Sequence, residues 1–172
     1  MSAEIPSWAL TFTYWLHMVA TVVWIGGLVV INLIVVPLSR SMLAETAYFS
    51  FYERLLQRLQ SIGWVAIAIL TATGLFQMSA HPAYQGFLVI ENTWAVAIFL
   101  KHIAVAGMFF VSIGMTWGVM PQWKRLNYLL SMGRIVDEAS REQLYRRQTR
   151  LWRLNLAFSV LVLLLTAWAR VS

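Results

Sequence analysis

Apolar residues in this chain come in long unbroken runs rather than in the alternations of a water-soluble fold. The runs cover Trp8 to Val36, about Ile62 to Met78, Trp94 to Met120 and about Leu154 to Trp168. A helix needs roughly 17 to 25 such residues to cross the hydrocarbon of a bilayer. The pattern predicts an all-α protein, a transmembrane four-helix bundle with spans at about 8–36, 62–78, 94–120 and 154–169, all in one domain over 1–172. No internal repeat or low-complexity segment divides it. Ahead of the second and fourth runs the polar positions take a helical period. In AYFSFYERLLQRLQSIGW, Phe51, Leu55, Leu56, Leu59 and Ile62 fall opposite Glu53, Arg54 and Arg58. In VDEASREQLYRRQTRLWRLN, Ser140 and Gln143 stand at capping-box spacing and Glu142 can pair with Arg146 one turn on. Helices 2 and 4 are therefore expected to carry amphipathic extensions beyond the membrane. Pro121 and Gly133 read as breakers within the connection between the third and fourth spans.

Composition agrees with a lipid setting: 60% of residues are hydrophobic and 12% charged, with a mean hydropathy of +0.68. The opening MSAEIPSW has no basic residue before its apolar run and no small-residue cleavage site, so the first span is expected to be retained. Cysteine is absent, which excludes disulfides, iron–sulfur clusters and thiolate metal sites.

Charge sets the orientation, because short cytoplasmic connections carry the excess of Lys and Arg. One connection holds Arg40, Arg54 and Arg58. Another holds Lys124, Arg125, Arg134, Arg141, Arg146, Arg147, Arg150 and Arg153. Residues 79–92 hold none, and the N-terminal tail holds only Glu4. This predicts a plasma (inner) membrane protein with both termini outside and the loops 38–60 and 121–153 cytoplasmic. Trp8, Trp94, Trp123 and Trp152 stand at the proposed span ends, where amphipathic rings favour the headgroup layer. Contact with anionic lipid accounts for the basic surface, and no nucleic-acid partner is implied.

Two histidines lie inside the apolar runs. His17 is nine residues past Trp8 and His102 eight past Trp94, on helices expected to cross in the same direction. At about 1.5 Å per residue both lie about 12 to 14 Å deep. Two imidazoles at one level, facing a bundle interior, can bracket a planar macrocycle and give iron two axial nitrogens. The expected cofactor is haem b, with His17 and His102 as metal ligands. No Cys-x-x-Cys-His attachment motif is present, which excludes covalent haem. Ala20 and Ala106 sit beside the ligands and leave room for a flat ring, while Trp24 and Phe109, each seven residues further in, would close its inner edge. Lys101, buried by the same count, would reach outward, pair with Glu91 or meet a propionate. His81, before Pro82 in the outer connection, reads as a surface residue. Gly107, Gly114 and Gly118 form a stripe about 140° from His102, a close-packing face for span two, span four or another membrane subunit.

LHMVATVVWIGGLVVINLIVVP, residues 16 to 37, resembles the first helix of the copper-resistance D (CopD) family, with its histidine, Trp24-Ile25-Gly26-Gly27 and closing Pro37. ERLLQRLQSIGWVAIAILTATGLFQM and WAVAIFLKHIAVAGMFF resemble that family's next two helices, including Thr73-Gly74 and Lys101. The likeness extends through about residue 118. The related HemJ-type protoporphyrinogen oxidases share the four-helix pattern and first-helix histidine. Here VVPLSR follows the first helix in place of the Pro-Arg-Leu type of ending of that group. The resemblance implies a metal or haem association.

Four activities fit these expectations to different degrees. The first is single-electron transfer, between a quinol and an outer redox protein or within a larger membrane redox complex. CopD-like copper transport would add methionine thioethers to the histidines, but Met108 and Met115 point about 120° or more from His102. HemJ-like oxidase activity and a cofactor-free structural subunit are the remaining alternatives. Hydrolases that rely on paired carboxylates or a nucleophilic triad are excluded, because the predicted interior has no Asp or Glu and one lysine.

Overall fold

The computed structural model describes residues 6–43, 45–86, 89–134 and 136–172. The N-terminal tail with Glu4 lies outside the described residues. Four long helices carry the structure: α1 (Ser7–Met42), α2 (Glu45–Ser79), α3 (Thr93–Ser131) and α4 (Glu138–Val171). No strand occurs among the described residues. All four are long and apolar enough to cross a membrane. Their outward faces are apolar as well: Val22 is 70% exposed, Leu33 66% and Leu164 63%. Water would penalise such a surface and lipid would not.

Two of the helices run on through prolines that the sequence reading treats as ends. A π-helical segment, Ile31–Val35, precedes Pro37 in α1, and another, Gly114–Val119, precedes Pro121 in α3. Proline has no N–H to return to the carbonyl four residues back, and its ring crowds that carbonyl. Widening the turn just before it shifts the hydrogen-bond ladder and lets the helix continue. As a result α3 reaches Ser131, beyond its expected end at Met120. The N-cap of α4 also differs from expectation. Asp137, not Ser140, takes that place: its carboxylate accepts from the Ala139 and Ser140 N–H groups and from the Ser140 hydroxyl. Glu142 pairs with Arg146 at 3.0 Å, as its spacing predicts.

The helices pack as two close pairs, α1 on α2 and α3 on α4. Between the pairs, close backbone approach is concentrated where α1 meets α4 and where α2 meets the Met120–Ser131 part of α3. Gly107 lies under the Phe158 ring and Gly118 under the Arg147 guanidinium, so α4 of the same chain covers both; nothing lies near Gly114.

Two clusters form the interior. The larger is at the Arg-rich end, where Tyr52 is 1% and Trp123 2% exposed, stacked with Tyr48, Phe49 and Trp152 at centroid distances of 5.2 to 6.3 Å. Trp123 and Trp152 are therefore core residues rather than headgroup anchors, because the helices continue past them and supply neighbours. The inward face of early α2 follows Tyr48, Tyr52 and Leu56, whereas Phe51 and Ile62 point outward at 41% and 49% exposure. The smaller cluster, Trp24, Ala66 and Met108, lies nearer the histidines and ties α1, α2 and α3 together.

Candidate haem-ligand site

His17 is half-buried on the face of α1 that meets α2. Its Nδ1 is 2.7 Å from Thr73 Oγ1, and the Thr73 hydroxyl in turn donates to the Ile69 carbonyl at 2.6 Å. A hydroxyl has one proton. With that proton on the Ile69 carbonyl, the bond to His17 is made by Nδ1–H donating to Thr73. The neighbouring Gly74 makes the approach possible, since a Cβ there would stand 3.3 Å from His17 Cε1. One turn further out, Gln77 Nε2 donates to the Thr13 carbonyl at 3.1 Å and holds the same two helices in register.

His102 reaches the same state by another route. Its Nδ1 lies 2.7 Å from the Ile98 carbonyl one turn back on α3. A carbonyl only accepts, so this nitrogen also bears the proton. In a neutral imidazole with Nδ1 protonated, Nε2 holds the lone pair, and this is the arrangement that metal-ligating histidines adopt when a second partner fixes the ring. His81 is arranged the opposite way. Its Nδ1 accepts from the Ala83 N–H at 3.2 Å, and its ring stacks on Trp94 at 4.3 Å with only 6° between the planes. That residue pins the connection before α3, together with Asn92, whose Oδ1 accepts from the Ala95 N–H at 2.7 Å.

The remaining expected site residues divide between two environments. Ala20 and Trp24 are buried, Trp24 within the smaller cluster. Ala106 and Phe109 belong to the less covered face of α3, opposite the face that Ala97, Ala104 and Met108 present to α4. Phe109 is 37% exposed and meets Trp64 of α2 edge-on at 5.5 Å. Trp24 and Phe109 thus stand in separate surroundings. Lys101, next to His102 on α3, is half-buried. Met108 abuts the Ser159 hydroxyl at 4.0 Å, inside the bundle.

The donor set limits what the site can hold. Among the described residues no three His, Cys, Asp or Glu side chains gather into a group able to bind a metal ion. A bare cation needs four or more ligands. A porphyrin brings four of its own and asks the protein for two. Thr73 and Gly74, which hold the His17 ring, are not among the residues expected from the histidine pattern. The available signal is a threonine and a glycine side by side in an apolar run. No family model, curated protein or solved structure matches this chain, so the functional reading rests on this site.

Proposed function

We propose that this chain is an integral membrane cytochrome that binds haem b through His17 and His102 and passes single electrons, alone or as a subunit of a larger redox complex. The observation that carries the reading is that two imidazoles on opposite helix pairs each hold Nδ1 2.7 Å from an oxygen, Thr73 Oγ1 for His17 and the Ile98 carbonyl for His102. The limited backbone approach between α1/α2 and the Thr93–Ile113 part of α3 supports it, because a flat ring needs room there. Held by His17 and His102, iron porphyrin would supply a one-electron couple. The chain's own part is to hold the two rings, to keep Nε2 unprotonated and to exclude water with Trp24. Lys101 is placed to meet a propionate. Following the basic residues, the Arg-rich end faces the cytoplasm and both termini face outward, where an outer redox protein would dock, with a quinol as donor from the bilayer. Copper transport is less well supported, since Met108 is turned into the apolar cluster with Trp24 and Ala66.

The test is the absorption spectrum of the protein extracted in mild detergent. A low-spin haem b signature in oxidised and reduced forms is expected, lost in His17→Ala and in His102→Ala. A colourless protein, or a haem signal indifferent to both substitutions, would overturn the reading.

A further inference from the structure

Polar groups inside the Arg-rich half of the bundle exceed the partners that the chain offers them. On α4, Gln148, Asn155 and Ser159 share one stripe, because offsets of seven and eleven residues return to within about 20° of the starting direction. They are 1%, 6% and 0% exposed. Oε1 of Gln148 and Oδ1 of Asn155 meet no donor among the described residues. Nearer the Arg-rich end, the Tyr48 hydroxyl and the Trp123 indole N–H are likewise buried without a partner. Tyr48 and Trp123 also wall a cavity of about 490 Å³ to which all four helices contribute, lined in addition by Arg40 of α1 and Tyr145 of α4.

Leaving four such groups dry in one interior is unfavourable, and lipid cannot serve them. Their chemistry selects the molecule that can. The two amide oxygens need a donor, whereas the indole needs an acceptor. A metal cation would satisfy only the first and an anion only the second. Water does both, and the cavity brings it as far as Tyr48 and Trp123. We infer that a chain of waters enters there and runs past Trp123 and Gln148 to Asn155, giving water and hydrated protons access from the Arg-rich side into the interior of the bundle. Its inner end is the Trp24, Ala66 and Met108 cluster, with Ser159 against Met108 at the boundary. That apolar plug lies between the hydrated half and the level of His17. The route uses neither histidine and stands whether or not haem binds.

Hydrogen exchange of side chains reads it on the unaltered full-length protein in micelles. With ¹⁵N-labelled tryptophan and asparagine, the Trp123 Nε1–H and Asn155 Nδ2–H signals should be lost to D₂O within about minutes, far ahead of global unfolding. In Gln148→Met, which puts a thioether in the path, Asn155 exchange should slow by about tenfold or more while Trp123 keeps its rate. Protection of either group to the unfolding limit in the unaltered protein would overturn the inference. So would Asn155 exchange that is undiminished in Gln148→Met, because its water would then come by another way.

Discussion

His17 and His102 present the same nitrogen through different restraints, and the difference predicts how each responds to substitution. The Ile98 carbonyl that holds His102 belongs to its own helix and cannot be removed by changing a side chain. The Thr73 hydroxyl that holds His17 can be. Thr73→Val keeps the shape and deletes the acceptor of a half-buried N–H. A loss of about 1 to 2 kcal/mol in stability is expected, measured by unfolding in detergent. With haem bound, a weaker hydrogen bond at Nδ1 makes the imidazole a poorer donor to iron, so the reduction potential should rise; an unchanged potential would remove Thr73 from the site. The histidines were legible in the sequence because an ionisable group in an apolar run stands out and its depth follows from counting. Thr73 entered only through a family resemblance, and nothing within α2 records that it faces α1.

At the scale of elements, glycines and caps separate local pattern from packing. Gly107 and Gly114 look alike in the stripe, but an added Cβ would come within 2.8 Å of the Phe158 ring at Gly107 and meet nothing at Gly114. Gly107→Ala should therefore cost about 1 to 3 kcal/mol through overpacking against α4. Gly114→Ala should be neutral or slightly stabilising, and thermal unfolding of the two variants side by side checks the contrast. Asp137 provides a pH dependence. Hydrogen bonds from the Ser140 hydroxyl and from the Ser140 and Ala139 N–H groups hold its carboxyl below the usual range. A depressed carboxyl stabilises the start of α4 fully above the ordinary carboxylate pKa, and that contribution is lost as pH falls through the lowered value. Amide exchange at Ala139 and Ser140 should accelerate on acidification, and Asp137→Ala should abolish the pH dependence. The pairing of Glu142 with Arg146 could be read from spacing alone. The continuation of α3 through Pro121 could not, because a π turn that rescues a proline has no local signature as strong as the proline itself.

For the whole molecule, the uneven distribution of Lys and Arg makes a topological prediction. Alkaline phosphatase fused at either terminus should be active, and a fluorescent protein inserted between Ser131 and Val136 should fluoresce, which places the Arg-rich end inside. Inactive phosphatase at both termini would invert the orientation and, with it, the side from which the inferred water chain opens. Readable from the chain alone is whatever one helix expresses without a neighbour: four apolar lengths, the charge asymmetry, and two histidines within apolar runs. These follow from transfer free energies and helix rise, which need no neighbour. It took the packed helices to settle which oxygen each imidazole Nδ1 meets, that Trp123 and Trp152 are core, and that the side-chain oxygens of Gln148 and Asn155 are buried with no partner among the described residues. Each of these depends on what a second helix brings within hydrogen-bonding or packing distance, and no periodicity along a single helix encodes that.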